Sequence, residues 1–281
     1  MSPFLVCQQC AKVSSWDMVL QGIGFMADFA LLYDRAFAWD VTSELDTVDF
    51  LVRRFFGRTA DAICEVGAGT GRFTLPLARK RVLRVAIEPD SAMRAILERK
   101  LLSGCQADCL PKVFAGPVEN MQTDELFDVS LLMTDTLSYI FPGWKLQLAL
   151  DRIFAITMPG GLVVADVALW QGAAGEQRYE KWTVNQPEGT LLATCHASVN
   201  IGPGDSRIER SETLRFRLDG QEAVRHSVLH AFDFSRLATA FAKAGFGYCG
   251  AAFPGLVELV DPANGHWPRI VAAFRRPFGV A

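Results

Sequence analysis

The sequence predicts an α/β fold: a mostly parallel, seven-stranded sheet with helices on both faces, and a three-stranded antiparallel meander inserted after the fifth core strand. Three observations carry this. The run Ile63-Cys64-Glu65-Val66-Gly67-Ala68-Gly69-Thr70-Gly71-Arg72, with Glu88 just past the next apolar run, reads as strand, glycine turn, helix, strand and acid. Short apolar runs then alternate with helical patterns as far as residue 167. Beyond residue 168 this rhythm breaks, and strand-like stretches follow one another with only turn signals between them.

Residues 26–41 are rich in aromatics, among them Phe29, Tyr33, Phe37 and Trp39, and are expected to roof the site. A helix starts near Thr42 or Ser43, with Glu44 and Asp46 suited to the positive end of its dipole. It presents Leu45, Val48, Phe50, Leu51, Val52 and Phe55 and stops at Gly57. The first strand is 61–66, and the helix after the glycine turn carries Phe73, Leu75, Leu77 and Ala78. The second strand is 82–87, and Pro89-Asp90-Ser91 opens a helix bearing Met93, Ile96 and Leu97. The third strand, 112–115, is short. The fourth, 127–133, is nearly continuously apolar, as a strand covered on both faces must be. Pro142-Gly143 begins a helix through Ile156, Pro159-Gly160-Gly161 ends that unit, and the fifth strand is 162–167.

The meander is read as 190–200, 207–218 and 223–232, turned at Gly202-Pro203-Gly204-Asp205 and Asp219-Gly220. A helix follows with Asp233 as N-cap and Gly245 at its end; the sixth strand is 247–253 and the seventh 268–275. The expected organisation is one domain, 26–281: a nucleotide-binding core over 42–168, the meander segment over 169–232 and a C-terminal unit over 233–281. Residues 1–25 are expected to be a disordered tail, or to precede a native start at Met26.

Of the 281 residues 50% are apolar, enough for a large core, and the net charge of -3 without a long basic run argues against a nucleic-acid partner. No apolar run is long enough to span a bilayer, and one cation, Lys12, within residues 1–25 makes a poor signal or transit peptide. Seven scattered cysteines, an odd count, suggest no disulfide framework and point to a reducing, cytoplasmic setting. Cys7-Gln8-Gln9-Cys10 is half a zinc pattern with no second half, so no metal site is expected.

The glycines let the turn take positive φ and let a ligand approach the backbone; amides at the following helix attract polar ligand groups, and Glu88 is placed to accept from ribose hydroxyls. The spacing is Gly-x-Gly-x-Gly, and Arg72 stands where a nicotinamide site would have its third glycine. With the preceding Glu65 it resembles motif I of the class I S-adenosylmethionine (SAM)-dependent methyltransferases, and the resemblance covers roughly residues 45–276. It implies a Rossmann-like fold and methyl transfer from SAM to a small molecule, at O or N, by a monomer or homodimer. It also implies a SAM site built from Glu65, Gly67, Ala68, Gly69 and Gly71, from Glu88 and Pro89 at the ribose, and from Met93 near the adenine. Phe127-Asp128-Val129 with Thr134-Asp135 matches the block facing the methionine half, and Met158-Pro159-Gly160-Gly161 and Ala244-Gly245-Phe246 match later loops. The family's adenine-reading Asp is replaced by Pro117, leaving Val118 and Glu119 to hold the ring. No Asn-Pro-Pro-Tyr or Asp-Pro-Pro-Tyr block follows the fourth strand, which favours a small metabolite as acceptor.

Catalytic candidates are less defined, because an activated methyl donor needs mainly a positioned nucleophile, and a base only where a proton must leave. Asp135 and Asp166 sit at carboxyl ends of strands, where ligands of open α/β sheets bind. Tyr33 is a candidate wall of the cofactor pocket. His196, His226 and His230 on the meander, with His266 in a later loop, are candidate bases or acceptor ligands because histidine titrates near neutral pH. The meander is expected to cover the acceptor without touching the adenosine half of SAM. Two other functions fit less well: a non-catalytic SAM-binding or scaffold protein, and a nicotinamide-dependent oxidoreductase.

Overall fold

The computed structural model describes residues 29–170, 175–201, 208–263 and 268–279. Residues 1–25 with their cysteine pair, the Gly202-to-Asp205 turn and His266 lie outside the described residues.

The aromatic N-terminal stretch forms helix α1 (Phe29–Ala36), which buries Ala30, Leu32 and Ala36. Helix α2 (Thr42–Phe56) starts where Asp40 accepts from the Thr42 amide at 3.0 Å. It ends at Gly57, whose φ of 86° lets its amide close on the Arg53 carbonyl. Then come β1 (Ile63–Val66), α3 (Thr74–Arg79), β2 (Leu83–Ile87) and α4 (Ser91–Gly104). Asp90 caps α4 by accepting from the Ala92 and Met93 amides. After β3 (Lys112–Phe114) and β4 (Phe127–Leu132) follow α5 (Thr136–Tyr139), α6 (Gly143–Ile156) and β5 (Thr157–Ala168). The chain then runs through β6 (Gln177–Gln186), β7 (Gly189–Ile201), β8 (Ile208–Leu218) and β9 (Gln221–His230). It closes with α7 (Phe234–Lys243), β10 (Gly247–Ala252), β11 (Leu259–Val260) and β12 (Arg269–Arg275).

The main sheet has eight strands in the order β11-β10-β12-β5-β4-β1-β2-β3. Strands β1 to β5 are parallel, while β12, β10 and β11 join antiparallel. Helices α6 and α7 bury Leu150, Ile153, Leu237 and Phe241 on one face, and α2, α3 and α4 bury Leu51, Leu77 and Leu97 on the other. The strand order reverses between β1 and β4, which opens a crevice at their carboxyl ends.

The predicted class holds, with three corrections. The inserted sheet has four strands, β6-β7-β8-β9, not three. Its edge strand β6 carries Arg178, Glu180 and Lys181, and this polarity hides the alternation by which Trp182 and Val184 join the apolar cluster of Leu191, Ala193 and Phe216. The main sheet gains β11, two residues long and too short for a hydrophobic period. Finally, β5 starts at Thr157 and runs through Pro159-Gly160-Gly161. There the Gly160 amide donates to the Arg276 carbonyl and the Arg276 amide to the Gly161 carbonyl, both at 3.0 Å, so pairing overrides the turn signal. The insertion leaves and rejoins the core at one place, where Leu169 bridges Phe232.

Candidate active site

At the switch point lies a pocket of about 500 Å³, within the range of small-molecule sites. Its floor is the glycine turn, where Gly67, Gly69 and Gly71 all have positive φ. The Gly67 and Ala68 amides both donate to the Ile87 carbonyl at 2.9 Å, clamping the turn to β2. The glycines differ in role. A Cβ at Gly67 would fall 2.4 Å from Thr136 Cγ2, and one at Gly71 2.7 Å from Leu97 Cδ1, whereas one at Gly69 would meet nothing within 4 Å. Gly67 and Gly69 line the pocket, and Gly71 instead lets α4 pack against the turn.

Glu88 joins the floor to the next wall. Its carboxylate accepts from the Gly69 amide at 2.6 Å and the Asp90 amide at 2.8 Å. Burial pushes its carboxyl above the ordinary range, against the pull of those hydrogen bonds. Glu65 is buried at the base, accepts from Thr74 Oγ1 at 2.6 Å, and is pushed by burial up to about 8. Pro89, Met93, Pro117, Val118 and Glu119 complete this side, so the segment that departs from the family pattern reaches the pocket.

Arg72 occupies the would-be third glycine position, and its side chain is a strut. Nη2 donates to Thr134 Oγ1 at 2.6 Å, and the guanidinium lies 4.3 Å from the Trp39 ring centre. It thus ties the glycine turn to the end of β4 and to the segment after α1.

Thr134 and Asp135 both have positive φ, at 56° and 59°. Thr134 and Thr136 line the pocket, while Asp135 between them is turned away. Its carboxylate accepts from Ser138 Oγ at 2.7 Å, the Ala168 amide at 3.0 Å and Arg210 Nη2 at 2.6 Å. Asp166 is likewise engaged: it takes both Nε and Nη2 of Arg269 at 2.5 Å and the Thr134 amide at 3.0 Å. The structure therefore places both acids behind the wall, where they hold the β4 end and the inserted sheet in position.

Of the described histidines, His196, His226 and His230 do not line the pocket either. On β9 the inward set is Ala223, Arg225, Ser227 and Leu229, and His226 with Val228 is exposed on the outer face. His226 Nδ1 pairs with Thr213 Oγ1 at 2.8 Å, and His196 is exposed on β7. His230 has Nε2 3.2 Å from the Ile140 carbonyl and rings from Phe141 and Phe232 beside it, and burial lowers its pKa.

Tyr33 does line the pocket, together with Phe29 and Phe37 of α1 and the turn after it. The Tyr33 ring packs 4.4 Å from Phe37 and edge-on to Phe216 of β8 at 6.3 Å. Tyr139, Phe141 and Lys145 after β4, with Leu214 and Arg225 of the inserted sheet, are wall residues that sequence reasoning missed. A signal was present: Arg210 and Glu212 on β8 keep phase with Leu214 and Phe216, and Arg225 on β9 keeps phase with Leu229. Charges at inward positions mark a polar cleft.

The lining fits SAM. The Gly69 backbone faces open space, and the Glu88 carboxylate just past β2 stands beside it with Asp90 and Glu119 in the same lining. No metal-holding group of three acid, histidine or cysteine side chains occurs among the described residues.

No protein-family model matches the chain, and no curated protein sequence matches it. Solved structures do. An S-adenosylmethionine-dependent methyltransferase from Clostridium acetobutylicum ATCC 824 superposes with a TM-score of 0.66 at 16% identity, over 89% of this chain and 98% of its own. A sugar N-methyltransferase from Streptoalloteichus sp. ATCC 53650 gives 0.61 at 18%, over 96% and 100%. A SAM-bound amino pentose methyltransferase from Micromonospora echinaspora, involved in calicheamicin biosynthesis, gives 0.63 at 15%, over 90% and 98%. The chain therefore has the fold of the S-adenosylmethionine-dependent methyltransferases.

Proposed function

We propose that the chain transfers a methyl group from SAM to a small-molecule acceptor, at N or O, by in-line displacement and mainly through positioning. The observation that carries this is the Gly67-to-Gly71 turn opening onto the pocket with Glu88 bonded to the Gly69 amide. When bound, SAM supplies an activated methyl: the acceptor lone pair bonds to the methyl carbon as the carbon–sulfur pair returns to sulfur, leaving S-adenosylhomocysteine. Glu88 accepts from the ribose, Met93, Pro117, Val118 and Glu119 enclose the adenine, and Glu65, Gly67, Ala68 and Thr134 face the methionine half. Helix α1 and the inserted sheet cover the acceptor end and exclude water, where near-attack geometry is worth effective molarities of about 10⁵–10⁸ M. Residues 26–281 act as one unit in this reading. The five described cysteines are free thiols, which supports a reducing, cytoplasmic setting, and no described helix is long and apolar enough to cross a membrane.

Calorimetry tests the cofactor. SAM and S-adenosylhomocysteine bind, and NAD does not. Glu88→Ala weakens SAM by about 1–3 kcal/mol, the scale of a lost charge-assisted hydrogen bond. Gly69→Val weakens it further, because a β-branched residue is strained at a φ of +58° and fills the cofactor's space. NAD binding without SAM binding refutes the reading. SAM binding with no S-adenosylhomocysteine formed across an acceptor panel marks a non-catalytic SAM protein.

A further inference from the structure

Beside the acceptor wall lies a group of charges that the positioning account leaves unused. Strand β8 alternates so that Arg210, Glu212 and Leu214 point toward the core. Arg210 is buried, bonded to Asp135 at 2.6 Å and 3.4 Å from Glu212. Glu212 is nearly buried in turn, and its Oε1 accepts from the Tyr139 hydroxyl at 2.5 Å. Tyr139 is the member of this group that reaches the pocket wall, with 44% of its surface open. A line of polar atoms thus runs from the pocket through a phenol to a carboxylate.

We propose that Tyr139, backed by Glu212, takes the proton of a cationic amine acceptor, so that the substrate class is an aliphatic amine rather than an alcohol. This rests on the methyl-transfer reading above. An ammonium has no lone pair and must lose a proton before it can attack. The proton passes from the ammonium nitrogen to Tyr139 Oη as the phenolic proton passes to Glu212. The nitrogen is left with its pair, the tyrosine stays neutral, and Glu212 later releases the proton to solvent. The phenol is a conduit and not itself the base: the enclosure of its hydroxyl end, in a residue otherwise open, and the adjoining Glu212 carboxylate push its own ionisation well up. The acceptor class follows from the gap to be bridged. An ammonium of the lysine type titrates near 10.4, within reach of a carboxylate, whereas a hydroxyl of the water type titrates far above that range.

The groups around Glu212 tune it in both directions. Burial raises its pKa, Arg210 lowers it, Tyr139 lowers it by donating, and Asp135 and Glu180 raise it. The Cys195 thiol of β7 and the Tyr33 phenol of α1 also interact with its charge. Arg210 is thus the main pull against burial, lowering a carboxyl that its surroundings raise.

The test pairs amines with matched alcohols, benzylamine with benzyl alcohol and cyclohexylamine with cyclohexanol, and follows S-adenosylhomocysteine against pH. SAM affinity is measured on the same samples by calorimetry. Amines are methylated and their alcohols are not. Glu212→Gln and Tyr139→Phe each lower kcat/KM at pH 7 by about 10²–10⁴-fold, the range for loss of a proton acceptor, while SAM affinity and melting temperature hold. In Glu212→Gln the rate recovers as pH rises toward the amine's own pKa, where the free base supplies the nucleophile; a structural lesion would depress the rate at every pH. Three outcomes overturn the inference: transfer to an alcohol in preference to its amine, no transfer to any amine by protein that binds SAM, or parallel pH profiles for Glu212→Gln and wild type. Loss of SAM binding in the unmodified chain overturns the methyl-transfer reading instead.

Discussion

Arg225 Nη2 on β9 stands 3.0 Å from Asp90 Oδ2, two residues beyond Glu88. The contact carries the inserted sheet across the pocket to the residue that caps α4, on the wall that the reading above assigns to adenosine. The Arg225 guanidinium also lies 4.1 Å from the Phe29 ring centre of α1. The inserted sheet is therefore not confined to the acceptor end, contrary to what its place in the chain suggests.

Arg225→Ala should weaken SAM as well as slow turnover. Both side chains are about a third exposed, so the pair is worth roughly 0–1 kcal/mol, up to about fivefold in affinity. Stopped-flow release of S-adenosylhomocysteine should show most of the loss in the off-rate. An unchanged off-rate would mean that the contact does not restrain the cofactor.

Glu65 makes stability depend on pH. Its carboxyl is pushed by burial from an ordinary 4.5 to about 8. Between these values the folded state holds a proton that the unfolded chain has lost. This contribution is complete below 4.5 and is lost as pH rises through 8, at up to about 1.4 kcal/mol per pH unit. Glu65→Gln removes the titration and keeps the shape. Urea unfolding of the ligand-free protein should show the variant gaining on wild type from pH 5 to pH 8. Parallel curves would place an ionised Glu65 in the folded protein.

The acids and histidines separate by location. Asp135→Ala leaves the buried Arg210 without its nearest carboxylate, and breaking such a pair costs about 3–5 kcal/mol. It should lower the melting temperature before any kinetic constant is read. His196→Ala and His226→Ala remove exposed outer-face side chains and should stay within about 0.5 kcal/mol in stability, with activity intact. A hundredfold loss of turnover at either histidine would show that the outer face of the inserted sheet meets the acceptor.

The sequence by itself determined the parallel part of the core sheet and the glycine turn with Glu88 beside it. These rest on local causes: positive φ at Gly67, Gly69 and Gly71, the cap at Asp90, and apolar runs in β1 and β4 that a covered parallel strand requires. Residues within one βαβ unit meet by short-range geometry, so Glu88 and Gly69, nineteen positions apart, could be paired on paper. Only the tertiary structure decided how the inserted sheet meets the pocket. Tyr139 meets Glu212 across 73 positions, Arg225 meets Asp90 across 135, and Asp135 is withdrawn by a bond to Arg210 across 75. Such contacts depend on how an inserted sheet lies over a crevice, and no local period encodes that. Strand phase does encode which side chains face inward. Read strictly, it separates Arg225 and Glu212 from His226, because a side chain one position out of register points to the opposite face.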